Sequence, residues 1–62
     1  MEPGDYVMKM LGARDRGKKG LVISIVPGGP GNILAEVLTN EGKNVHWPLQ
    51  HLHLINKVEN DG

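Results

Sequence analysis

Cysteine is absent from the 62 residues, and with it go disulfide staples, thiolate nucleophiles and cysteine-based zinc sites. Phenylalanine is absent too, so Trp47 and Tyr6 are the only aromatics and the core must be made from Val, Leu, Ile and Met. Neither charge is in excess: seven Lys and Arg balance seven Asp and Glu, whereas a module built to grip phosphate usually carries surplus positive charge. General nucleic-acid binding is disfavoured on that ground. Long apolar runs are missing as well; nothing approaches the roughly 18 residues of a spanning helix. Met1 to Asp5 has neither the positive start nor the apolar stretch of a signal peptide. These absences lead us to expect no membrane partner and a chain compatible with a reducing cytoplasm, residues 1–62 forming one domain.

A chain this short buries only a modest share of its surface, so its core is thin and association with a second copy would relieve the shortage. The sequence is punctuated by turns. Tyr6 to Leu11 divides between two faces as a strand does, with Val7 opposed to Met8, and Gly12 ends it. Residues 12–20 are polar and glycine-rich and predict an exposed loop. Leu21-Val22-Ile23-Ser24-Ile25-Val26 is the strongest strand, since β-branched residues dominate it. Pro27-Gly28-Gly29-Pro30-Gly31 predicts a second exposed loop, two prolines lacking amide donors and three glycines favouring unusual dihedrals.

Asn32 to Thr39 fits two templates. Ile33, Leu34, Val37 and Leu38 make a helical stripe, and Ile33, Ala35 and Val37 line one face of a strand. Local propensity favours the helix. We choose the strand because Asn40-Glu41-Gly42-Lys43 makes a tight turn into Asn44-Val45-His46-Trp47, which otherwise lacks a hairpin partner. Pro48 is expected to interrupt the ladder. Leu49 and Leu52 have the spacing of a single 3-10 turn that plugs a barrel end, and His53 to Val58 returns as the last strand, with Asn60 to Gly62 fraying.

Taken together, Pro3-Gly4-Asp5-Tyr6-Val7, Gly17 and Gly20 before Leu21 to Ile25, Ala35 to Leu38 with the turn after it, and Pro48-Leu49 to Leu52 with Ile55 resemble a small SH3-like barrel of the KOW and Tudor kind, as in short bacterial or phage proteins. The fold class this implies is all-β, about five strands with one 3-10 turn before the last. In KOW-like modules a Gly before the second strand, with an apolar residue two further on, marks the motif; Gly20 and Val22 occupy those places. Such modules bind RNA or proteins. A Tudor-like aromatic cage for methylated Lys or Arg, or an aromatic surface for proline-rich peptides, needs more aromatics than Tyr6 and Trp47.

Chemistry-bearing residues are few. Gly12 to Lys18 has the glycine and lysine spacing of a phosphate loop, but Lys19 stands where Ser or Thr helps to hold magnesium, and a strand follows where a helix is needed. The same stretch gathers Arg14, Arg16, Lys18 and Lys19 against Asp15 alone, the best anionic-ligand candidate, with Tyr6 and Trp47 as stacking groups if nucleic acid is bound. A solvated loop is often charged without any ligand, and aromatics more often serve the core. His46, His51 and His53 have weak spacing for a metal and no carboxylate beside them. Ser24 lies in a strand and Thr39 at a turn, so no nucleophile, base and orienting acid assemble. No catalytic, cofactor or metal site is assigned.

The expected function is therefore that of a non-catalytic interaction or assembly module, working as a homo-oligomer or with another protein in a phage or bacterial setting. Strict alternation puts Leu21, Ile23 and Ile25 on one face and Val22 and Val26 on the other, and the first set is the candidate interface. The alternative is a small nucleic-acid-binding barrel using the basic loop 14–19.

Overall fold

The structure, a computed structural model, describes residues 1–56. Strand β1 covers Tyr6–Lys9, β2 Lys19–Gly29, β3 Asn32–Thr39, β4 Asn44–Pro48 and β5 Leu52–Asn56, with a 3-10 turn at Leu49–His51 before β5. All neighbouring pairs are antiparallel and the sheet order is β4-β3-β2-β1-β5. This is the all-β class expected, and Asn32–Thr39 is a strand. Its helical stripe loses to the hairpin because every residue from Leu34 to Leu38 is paired with β4 and with β2.

The order forces the sheet to close. Laid flat, five strands at ~4.8 Å spacing set the two edge strands about 19 Å apart. Here β4 and β5 are those edges, yet only the three residues Leu49–His51 join them. A 3-10 turn rises about 2 Å per residue, so the edges must be brought together by curling. The Met10 N–H donates to the His51 carbonyl at 2.7 Å and ties the turn to the end of β1. Among the described residues no second layer covers the sheet, but Val7, Val22, Ala35 and Val37 are at most 1% exposed and Trp47 3%. A lone sheet hides one face that completely only by wrapping around it. Ile25, Val45, Leu49 and Leu52 close over the cluster.

Turns are made by the residues that suit them. Pro3 and Gly4 (φ +100°) occupy the centre of a turn closed by the Asp5 N–H to the Glu2 carbonyl, the Pro-Gly signature of a type II turn. Between β3 and β4 the Gly42 N–H donates to the Thr39 carbonyl, Gly42 sits at φ +85°, and the Thr39 hydroxyl accepts from the Glu41 and Lys43 amides. Gly20 is required for a different reason: a Cβ there would stand 2.5 Å from Val37 Cγ1 and 2.6 Å from the Leu38 carbonyl.

Four expectations are corrected. The predicted loop 12–20 ends at Lys18, because Lys19 and Gly20 pair with Met8 and Val7. The predicted loop 27–31 shrinks to Pro30 and Gly31, since β2 runs through Pro27, Gly28 and Gly29. Beyond Val22 the far side of β2 has no strand neighbour among the described residues, and an edge tolerates a missing amide donor. Pro48 ends β4 inside the ladder, opposite Leu34 on an edge strand, where its missing N–H is harmless. Finally, Val22 pairs with Val37 and Ser24 with Glu36, so Ile23 is an extra, bulged residue. Alternation slips there, and Ile25 turns inward while Leu21 and Ile23 stay outside. The expected strand His53–Val58 is Leu52–Asn56 as far as the described residues go, and residues 57–62 lie outside them.

Candidate functional site

The loop of residues 10–18, between β1 and β2, is built around a buried charge. Lys9 stands two residues after Val7, on the inward parity of β1, and is 4% exposed. Its ammonium donates to the carbonyls of Leu11 (2.9 Å) and Arg14 (2.8 Å), and among the described residues no carboxylate pairs with it. A buried ammonium is costly unless its protons are bonded. The loop wraps around Lys9 and supplies those acceptors from its own backbone. Its base is closed by the Lys9 N–H to the Lys18 carbonyl and the Gly17 N–H to the Lys9 carbonyl. The loop is exposed, as expected, but it is pinned from beneath.

A polar chain continues outward from the core. The Trp47 indole N–H donates to Asp15 Oδ2 at 3.1 Å, which satisfies the one polar atom of a ring otherwise sealed in apolar packing. Asp15 adopts φ +60°, a left-handed conformation that Asp tolerates. Lys18 Nζ lies 3.7 Å from Asp15 Oδ1 and donates to Glu41 Oε1 at 3.0 Å. The hydrogen bond from Lys18 to Glu41, then the charge of that carboxylate, raise the Lys18 pKa above its ordinary 10.5, and Asp15 adds to the shift. Core, loop and β3–β4 turn are thus joined by Trp47, Asp15, Lys18 and Glu41.

Of the basic candidates, Arg14, Arg16 and Lys19 are exposed and make no ion pair among the described residues, while Lys18 is engaged. Lys43, from the β3–β4 turn, joins them across a partly enclosed cleft of about 200 Å³ lined by Arg14, Asp15, Lys18 and Glu41. A second cleft of about 320 Å³ places Lys19 beside Asn40 and Thr39. Trp47 is withdrawn from this candidate site: its ring is buried and offers no stacking face. Tyr6 lies on the outer face, its hydroxyl accepting from Asn40 Nδ2 at 2.7 Å.

That outer face is the other candidate. Tyr6, Leu21 and Leu38 stand directly opposite one another across β1, β2 and β3, and Leu21, Ile23 and Leu38 are each 41% exposed. Of the residues predicted for an interface, Leu21 and Ile23 are exposed on this face and Ile25 packs against the core, while Leu38 and Tyr6 flank Leu21. Polar groups bordering the strip are already partnered: Ser24 Oγ donates to Glu36 Oε1 at 3.0 Å, and Tyr6 is held by Asn40.

The histidines are dispersed. His46 is on edge strand β4, His53 on edge strand β5, and His51 in the 3-10 turn with a buried Nδ1 that has no partner among the described residues. Among the described residues no group of three or more His, Cys, Asp or Glu could hold a metal ion. Ser24, Glu36 and His46 form a row across β2, β3 and β4, but the carboxylate occupies the middle, where a hydrolytic triad needs the imidazole. No helix among the described residues is long and apolar enough to cross a membrane.

Sequence reasoning missed Lys9 and Lys43. Lys9 had a signal: Asp5, Val7 and Lys9 share one parity, so polar residues flank a core valine. Lys43 had none, because only folding brings the β3–β4 turn against the loop. Comparison with family models, with curated proteins and with solved structures finds no match to this chain.

Proposed function

We propose that the chain is a non-catalytic, SH3-like contact module whose outer face binds a second copy of itself. The strip Tyr6, Leu21, Ile23 and Leu38 carries this reading, since it is the continuous apolar surface left by a sheet that has already buried its other side. Covering it leaves the Tyr6 hydroxyl and Ser24 partnered within the chain, and requires the Glu36 carboxylate to stay at the solvated rim of the contact. Among the described residues the buried core is five side chains, three of them valine, so a second buried face adds a large fraction to the stability. The resemblance to SH3-like barrels is supported by β1 lying between β5 and β2, by the 3-10 turn before β5, and by Gly20 and Val22. A bacterial or phage assembly in the cytoplasm is the setting this reading takes.

Light scattering over a concentration series tests it. The expected result is a mass that is a multiple of the chain mass, reduced to one chain by Leu21→Lys or Leu38→Glu with the circular dichroism spectrum unchanged. A strict monomer at the highest concentration, or an oligomer indifferent to both substitutions, overturns it.

A further inference from the structure

Net charge is zero, but the charges are segregated. Among residues 1–56 the basic side chains are Lys9, Arg14, Arg16, Lys18, Lys19 and Lys43, and all of them sit at the end of the barrel where β1 leaves and β2 and β4 begin. Glu2 and Asp5 lie at the opposite end of β1, and Glu36 is held by Ser24 on the outer face. Asp15 and Glu41, the two acids at the basic end, both engage Lys18, and Asp15 also holds Trp47. Arg14, Arg16, Lys19 and Lys43 remain as exposed cations with no ion pair among the described residues, above a buried Lys9 ammonium with no carboxylate partner. A charge held in low dielectric beneath the loop adds to the potential outside it.

We infer that this end of the barrel binds the phosphate backbone of duplex nucleic acid, with Arg14, Arg16, Lys19 and Lys43 as the phosphate contacts and Lys18 as the strut that holds the two loops together. Three observations select this ligand. The clefts between the loops are only partly enclosed, and Arg16 lines neither of them, so the four cations spread over a surface that suits the outside of a polymer. Trp47 is buried, and Tyr6, whose hydroxyl reaches Asn40 at the edge of this end, is a single aromatic already held by that bond, so successive bases find no stacking platform and single strands lose the interaction that makes them preferred ligands. Two arginines offer planar donor forks that match phosphate oxygens.

The test is fluorescence anisotropy with a short labelled DNA duplex across a salt series. The expected result is binding at low salt that weakens with a log–log slope of about −3 to −4, near −0.9 per phosphate neutralised. Replacing Arg14, Arg16, Lys19 and Lys43 together by Gln should abolish binding, with circular dichroism confirming the fold. Glu41→Gln works in the opposite direction: glutamine keeps the oxygen that accepts from Lys18, so the strut stays while one repelling charge leaves the site, and affinity at low salt rises severalfold. No low-salt binding, a slope near zero, or a Glu41→Gln affinity unchanged or weaker overturns the inference. Equal binding of polyglutamate assigns the site to acidic proteins instead, and tighter binding of the matching single strand removes the duplex; either result overturns it.

Discussion

The inner and outer faces of this sheet are made of the same residue types, often on adjacent positions of one strand, and they have opposite fates. Val22 is 1% exposed and its neighbours Leu21 and Ile23 are 41% exposed. Val37 is fully buried and the next residue, Leu38, is not. Hydrophobicity alone therefore does not say which side is the core. Strand parity, interrupted within the apolar run by the bulge at Ile23, makes that choice, and the larger aliphatic side chains are left outside. The inner face supplies cohesion from small branched residues around one indole. The outer one supplies a surface that is apolar, ordered and unspent.

Truncating a large apolar side chain to alanine on each face separates them most sharply. Trp47→Ala removes the largest member of the core and should cost about 3–5 kcal/mol, as large-to-small changes at buried aromatics do. A barrel of this size has about that much stability in total, so chemical denaturation should show no cooperative transition. Leu38→Ala, on the outer face, should lower the unfolding free energy of the monomer by less than ~1 kcal/mol. Comparable losses at the two positions would mean that Leu38 belongs to a core the monomer already has.

The second contrast concerns how the inner face tolerates a polar atom. Asp15→Ala leaves the Trp47 N–H buried and unpartnered, which should cost about 1–3 kcal/mol, and Asp15→Asn should restore most of it. Asparagine keeps an acceptor oxygen and tolerates the positive φ at this position. Urea denaturation of the two variants checks the order, and an Asn variant as weak as the Ala variant would mean that the carboxylate charge, not the hydrogen bond, is what Trp47 requires.

Much of this architecture was legible in advance. Alternation, β-branching and turn chemistry placed the strands, and the need for a hairpin partner decided Asn32–Thr39 against its helical stripe. The bulge was not legible, because nothing in Leu21 to Val26 marks which residue is extra; the slip arises from pairing with β3. For that reason strict alternation put Ile25 on the face of Leu21 and Ile23, whereas it packs against the core. At the basic loop, composition revealed the charges but not their division of labour. Asp15 turned out to hold Trp47 across 32 positions of sequence, and Lys18 to hold Glu41 across 23, contacts that no local pattern encodes.

The smallest expected effect lies in the strut between the two loops. Its sign follows from the Lys18 pKa, which Glu41 raises above 10.5. A lysine whose folded value exceeds its unfolded one contributes stability that is fully present below the unfolded value. The contribution is lost as pH rises through the folded value. The difference in unfolding free energy between the wild-type chain and Lys18→Gln should therefore be constant at neutral pH and shrink only above 10.5. Other ionisations occur in both proteins and cancel in the comparison. Both partners are exposed to water, so added salt should screen the difference even at neutral pH. Paired denaturation curves in low and high salt, at neutral and strongly alkaline pH, measure it. A difference that survives both treatments would show that the Lys18 stem supports the loop by packing, and that its charge is free to meet phosphate.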